Sequence, residues 1–218
     1  MKYFICVFVL FGSILINAQN MDQPFEKLTK EELSLLQSKS IRTPLRVLLT
    51  TSAADTKVLR AISKDLDPKD PMIQLLADRM YATVQDEASK GVGIAAPQVG
   101  INRNAIWVQR FDKEGQPFEF YINPKITWQS AIKRFGREGC LSIPDEFGKV
   151  YRSLALQLVY TDLEGNSFEE IIEGFTAVIF QHEYDHLIGK LFTDRILEQE
   201  KLTYKKADEI NEVYYETK

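Results

Sequence analysis

Cysteine and histidine are nearly missing from this sequence, with two of each in 218 residues. Cys6 lies within the first nineteen residues, so a chain that loses them keeps Cys140 alone and has no internal disulfide. Positive charge is not in excess either. The formal net charge is −4, which argues against a nucleic-acid-binding surface as the main business. Low-complexity tracts, heptads and internal repeats are absent. A chain that is 44% hydrophobic and 27% charged then suits one globular domain with a sizeable core and some tail.

Long apolar runs are also lacking. The longest, residues 3–16, follows Lys2 and ends near Ala18, the pattern of a secretory signal peptide over residues 1–19. It is too short for a comfortable membrane span, and no Cys follows it to carry a lipid. Lys2 is its only charge, so the processed chain would carry −4 − 1 = −5 and no stable membrane span. This predicts an exported or periplasmic protein. Translation from Met21 would instead give a cytoplasmic one. A lone thiol in an exported protein is a liability unless something such as a metal occupies it.

Residues 20–45 are polar and are expected to form a peripheral N-terminal extension, with a short helix after the capping box Thr29-Lys30-Glu31-Glu32. Asp70-Pro71 predicts a helix start, with the helix running to about Lys90 and stopping at Gly91. Strands are expected over residues 105–109 and 118–122, joined by a turn at 112–115 and closed by Asn123-Pro124. A hairpin is expected from the alternation Leu154, Leu156, Leu158, Tyr160, the turn at 162–166 and residues 168–172. The charged residues after Ile196 are expected to form a terminal helix. Helix, antiparallel strands, then helix is an α+β order.

Between those last elements, residues 174–189 hold both histidines. His182 and His186 stand four apart with Glu183 beside them, the His-Glu-x-x-His pattern. On a helix, positions i and i+4 share a face, so two imidazoles can bind one ion and the Glu can take a proton from water. Phe175, Val178, Ile179, His182 and His186 form a stripe expected to face the core, and Gly189 is placed to end the helix. Two core histidines satisfied by hydrogen bonds are the plainer alternative. A metal needs a third ligand. No third His exists, and the sixth position after His186 is Phe192. Glu198, Glu200, Glu209, Glu212 and Cys140 remain as candidates, and Cys140 alone reads equally as a small buried hydrophobe.

Three motifs stand in order: Gly91-Val92-Gly93-Ile94-Ala95-Ala96-Pro97-Gln98, Glu138-Gly139-Cys140-Leu141-Ser142, and Gln181-His182-Glu183-Tyr184-Asp185-His186. With them the chain resembles the peptide deformylase family from about Leu59 to Arg195. The resemblance implies an α+β fold, with antiparallel β-sheets around a central metal-binding helix, in a catalytic domain over residues 46–218 that includes the C-terminal helix. It implies hydrolysis of the formyl group from N-formylmethionyl peptides by a monomeric, metal-dependent enzyme that releases formate. Cys140, His182 and His186 match the metal ligands. One Fe²⁺ is the family's usual ion, Ni²⁺ or Zn²⁺ suit the same donors, and the metal's water attacks the formyl carbon. Glu183 matches the general acid/base. Gln98 and the Leu141 backbone N–H match the oxyanion donors. Glu138 and Arg152 match a pair that fixes the Cys140 loop. The backbone of Val92 and Gly93 is expected to receive the peptide as an added strand, with Val92, Val178 or Ile179 around the methionine side chain. Phe147 departs from the pattern, since many members carry a basic residue there. Two rival readings are a secreted zinc protease whose third ligand is a downstream Glu, and an inactive relative that only binds metal.

Overall fold

The computed structural model describes residues 25–208 and 212–217. The segment read as a signal peptide lies outside the described residues. Among those described, no helix is long and apolar enough to cross a membrane.

Three helices come first: α1 (Lys30–Gln37), α2 (Ala53–Leu59) and α3 (Ile73–Gln85). The capping box forms as expected, with Thr29 Oγ1 accepting from Glu32 N and the Glu32 carboxylate accepting from Thr29 N. The segment around it is not peripheral. Leu28, Leu36 and Leu45 are buried against Leu76, Met80 and Val84 of α3, and Glu32 accepts from the buried Arg103 guanidinium at 2.8 Å. Helix α3 is shorter than its sequence suggested. Asp70 Oδ1 accepts from Met72 N in a preceding turn, and the helix starts three residues after Asp70. It ends at Gln85 because Asp86 turns its side chain to Ala88 N and opens a separate 3₁₀ turn, Glu87–Ser89.

Seven strands follow: β1 (Gly93–Ala95), β2 (Ala105–Gln109), β3 (Phe118–Gln129), β4 (Ile132–Cys140), β5 (Ile143–Ser153), β6 (Ala155–Thr161) and β7 (Ser167–Glu173). The β2 range and the β6–β7 hairpin agree with the sequence patterns. Strand β3 does not close at Asn123-Pro124. It continues through a register shift in which Asn123 has φ +51° and its amide ties both backbone groups of Leu66. The long β4–β5 hairpin has no counterpart in the expected elements. Helices α4 (Gly174–Leu187) and α5 (Phe192–Gln199) come next, then β8 (Thr203–Asp208) and β9 (Val213–Thr217).

The expected C-terminal helix is therefore corrected, because α5 stops at Gln199 and the chain turns into a hairpin. Aromatic packing decides this. Tyr204 stacks on Tyr151 with ring centroids 3.7 Å apart, and Tyr214 meets Tyr151 edge-on at 5.2 Å.

The pairings are antiparallel and make two sheets, β1-β2-β3-β6-β7 and β5-β4-β9-β8. One cluster of buried side chains packs α3 on the first sheet, with Leu76 and Met80 against Ile94 and Ile122. A second packs α4 on it, with Ala177 and Phe180 against Ile106, Tyr121 and Leu158. Helix α4 also touches β5, where the Gln181 side chain brackets Ser153, accepting from its N–H and donating to its carbonyl, both at 2.9 Å. The α+β class with antiparallel sheets around a central helix is observed. Gly189 ends that helix with φ +69°, and a side chain there would run into the carbonyl of Arg60.

Candidate metal and catalytic centre

Helix α4 lies between the sheets, with one face on a cleft of about 470 Å³. Of the expected stripe, Phe175, Val178, Ile179 and His182 line this cleft, while Ile179 also packs into the core cluster and His186 is fully buried. The core side of α4 is Ala177, Phe180 and Leu187. The periodicity was legible, but a wall of a cavity and a wall of a core carry the same apolar pattern.

The β4–β5 hairpin supplies the third group. Cys140 ends β4 and places Sγ 3.2 Å from His186 Nε2. One ligand atom each from Cys140, His182 and His186 lie within 4.8 Å of one another. Glu198, one of the four downstream carboxylates of the protease reading, is held by Lys190 and Arg195. The tautomer of His182 is set by its neighbour. Nδ1 lies 2.9 Å from Glu138 Oε2, so Nδ1–H donates and Nε2 is free to ligate. Burial alone would raise the Cys140 thiol. The charges and hydrogen bonds of His186 and His182 outweigh it and hold the thiol well below its ordinary range. Burial would likewise lower His182, but hydrogen bonds to Cys140 and Glu138 hold it well above the usual imidazole range. The donor set is two nitrogens and a sulfur that gives up its proton easily, and that suits a divalent transition metal.

The Glu138–Arg152 pair is present. Arg152 Nε and Nη2 donate to the two Glu138 oxygens at 2.7 and 2.9 Å. Burial pushes Glu138 up, yet the hydrogen bonds from His182 and Arg152 hold it at about 2. Its carboxylate thus grips the β5 guanidinium on one side and the His182 imidazole on the other. Arg152 Nη1 also donates to Asp185 Oδ2 at 2.6 Å, and Arg195 donates to the same carboxylate. Asp185 is a partner of this network that the sequence did not reveal. Its position inside the histidine motif was visible, but its partner lies 33 residues away.

Glu183 is 4% exposed, and its Oε2 has no hydrogen-bond partner among the described residues. Burial raises it to about 7. Such a carboxylate can hold or release a proton near neutrality. Opposite it, Gln98 is clamped. Its Oε1 accepts from Ala95 N at 2.9 Å, and its Nε2 reaches Ser142 Oγ at 3.3 Å and Cys140 Sγ at 3.7 Å. That points the amide N–H group toward the Cys140 end of the cleft. Ser142, fully buried, is a second residue the sequence did not single out. Leu141 lines the same cleft.

Strand β1 is an edge of its sheet and borders the cleft. Gln109 N donates to the Val92 carbonyl at 2.8 Å, so the Val92 backbone faces β2 and the Val92 side chain faces the cleft. Backbone groups alternate sides along a strand, so those of Gly93 face away from β2, toward the free edge. Of the two residues expected to receive a peptide backbone, only Gly93 is turned that way. At the mouth, Phe147 is 62% exposed and carries the Arg137 guanidinium 4.1 Å above its ring.

A sequence model of the family described as Polypeptide deformylase matches residues 49–202. A peptide deformylase of Caulobacter sp. (strain K31) is 39% identical over 153 residues, covering 69% of this chain and 87% of its own. The solved Met-Ala-Ser-bound class I type b peptide deformylase of Acinetobacter baumannii is 35% identical. It aligns with a TM-score of 0.63 over 71% of this chain and 99% of its own. The peptide deformylase of Thermotoga maritima is 33% identical, with a TM-score of 0.63 over 70% of this chain and 97% of its own. This chain belongs to the polypeptide deformylase family.

Proposed function

We propose that this chain hydrolyses the formyl group from the N-terminus of N-formylmethionyl peptides, releasing formate, with Glu183 as its general acid/base. The observation that carries the reading is the convergence of Cys140, His182, His186, Glu183 and Gln98 on one cleft bordered by a free strand edge. Cys140 Sγ, His182 Nε2 and His186 Nε2 would hold the metal. Fe²⁺ is the ion we favour, and Ni²⁺ or Zn²⁺ fit the same donors. When bound, the ion acts as a Lewis acid and makes water more acidic.

The chain's own residues do the rest. Glu183, desolvated and unpartnered at Oε2, takes a proton from the attacking water and later gives one to the departing amine. The Gln98 amide, aligned by Ala95 and Ser142, and the Leu141 N–H stabilise the developing oxyanion. Glu138 and Arg152 keep His182 in the tautomer that ligates. The substrate backbone pairs with Gly93 as an added strand, which tolerates many sequences because backbone contacts ignore side chains. Val92, Val178 and Ile179 surround the methionine side chain. The Met-Ala-Ser peptide in the Acinetobacter structure is consistent with such a cleft. The reactive domain takes in the segment around Leu28, Leu36 and Leu45, which packs into its core, as well as residues 46–218, and acts as a monomer.

The test is formate release from formyl-Met-Ala-Ser by Fe²⁺- or Ni²⁺-loaded protein, beside the acetylated peptide. Release from the formyl peptide only is expected. Equal rates on both, or none on either, would overturn the assignment.

A further inference from the structure

A second cavity, of about 440 Å³, shares no lining residue with the first. Helix α4 separates the two. His182 and Glu183 face the first, while Tyr184 and Asp185 face the second. Its charged walls are Lys133, Arg152, Arg195 and Asp185, so positive charge exceeds negative there. Asp185 is shared by both arginines, and Glu138 neutralises Arg152 from the other side. Lys133 is different. Among the described residues no carboxylate lies within ion-pairing distance of it, and its one hydrogen bond, to Ser153 Oγ, is long at 3.4 Å. Glu216 acts on it only through longer-range charge, while Arg152 and Arg195 repel it, and burial lowers its affinity for a proton. An ammonium half out of water without a counter-ion is costly, and an anion in the cavity would relieve that cost.

The remaining wall mixes the polar Thr127, Gln129, Gln181 and Gln199 with Ile126 and three aromatic residues, Trp128, Tyr151 and Tyr184. Trp128 is 49% exposed beside the cavity, and neither it nor Tyr184 has a ring partner among the described residues. Exposed aromatic surface beside an uncompensated cation suits a ligand that carries both a ring and a negative group.

We infer that this cavity is a second binding site, for a small aromatic oxyanion: its carboxylate or phosphate meets Lys133 and its ring lies against Trp128 and Tyr184. The inference stands apart from the proposed reaction, because no residue of the cavity lines the catalytic cleft.

The experiment uses the full, metal-loaded chain and three probes: phenyl phosphate, benzoate and inorganic phosphate. Binding is measured by calorimetry, with quenching of tryptophan fluorescence in parallel. The ring-bearing anions are expected to bind at least tenfold more tightly than inorganic phosphate. Lys133→Met and Lys133→Gln should each weaken phenyl phosphate at least tenfold. Trp128→Leu should abolish the quenching, since the other tryptophan, Trp107, sits with its indole bonded to Ala77 O. Comparing benzoate with phenyl phosphate shows which oxyanion the site prefers. Melting temperatures and formate release by the variants, both expected to stay near wild type, confirm that they are folded. Equal binding by wild type and both Lys133 variants, or no binding of any probe at millimolar concentration, would overturn the inference.

Discussion

Gly93→Ala isolates the general-base assignment with a single methyl. A Cβ built on Gly93 would stand 2.5 Å from Glu183 Oε1, 2.9 Å from Cδ and 3.0 Å from Cγ. Comfortable contact needs roughly 3.5 Å, so the carboxylate must retreat by about 1 Å. The atoms that yield are the far end of a side chain whose Oε2 has no partner to lose. The cost to folding is therefore modest, roughly 1–2 kcal/mol, as for mild overpacking. The cost to catalysis is larger. A displacement of about 1 Å in a reacting group lowers the rate about 100-fold, equivalent to about 2.7 kcal/mol of barrier. The assay is kcat and KM for formate release from formyl-Met-Ala-Ser, with metal content measured on the same samples. We expect kcat to fall about 100-fold at unchanged metal stoichiometry, because the three heavy atoms nearest the methyl all belong to Glu183. A kcat within about threefold of wild type would refute the placement of Glu183 as the proton-transfer group. A loss confined to KM would instead assign Gly93 to peptide binding alone.

Two further outcomes follow from the charge networks. Arg152→Met should leave the buried Glu138 carboxylate without its guanidinium and Asp185 with Arg195 alone, at a cost of roughly 3–5 kcal/mol in urea unfolding, and should weaken metal binding about 10- to 100-fold in a chelator competition. An unchanged metal affinity would contradict the link from Arg152 through Glu138 to His182. Asp112 is held at about 2, first by the hydrogen bonds from Arg110 and despite some burial. Its folded value lies below the unfolded 3.8, so its stabilisation is complete above that pH and fades as pH falls toward 2. Asp112→Asn should remove on the order of 2 kcal/mol near neutrality and flatten the fall in the urea midpoint between pH 4 and 2. Parallel acid limbs in wild type and variant would count against that ion pair.

What the sequence made legible was local, and what it hid was tertiary. The helix at residues 174–187 carries its own signals, a 3.6-residue period and a glycine at each end, and it forms where expected. The β6–β7 hairpin likewise follows from strict alternation around a turn. The β4–β5 hairpin does not alternate. Its strands hold Gly139, Pro144 and four charged residues, Arg137, Glu138, Asp145 and Glu146, among cleft-lining positions, so one face serves the site and the usual apolar period is lost. The terminal residues looked helical because they are charged, yet Tyr204 and Tyr214 are claimed by Tyr151, a partner more than 50 residues earlier. The cluster of Cys140, His182 and His186 and the Glu138–Arg152 pair were readable through the three motifs. Asp185 and Ser142 were not, because a short polar side chain acquires its role only from what the fold sets opposite it.

The most direct test of the account compares wild type with Glu183→Ala, both loaded with Fe²⁺ or Ni²⁺, for metal content and formate release from formyl-Met-Ala-Ser. The account predicts one ion per chain in both proteins, formate from the wild type, and a rate at least about 1,000-fold lower in the variant. Metal bound by both without formate from either would contradict the proposed reaction, and equal release by both would contradict the role given to Glu183.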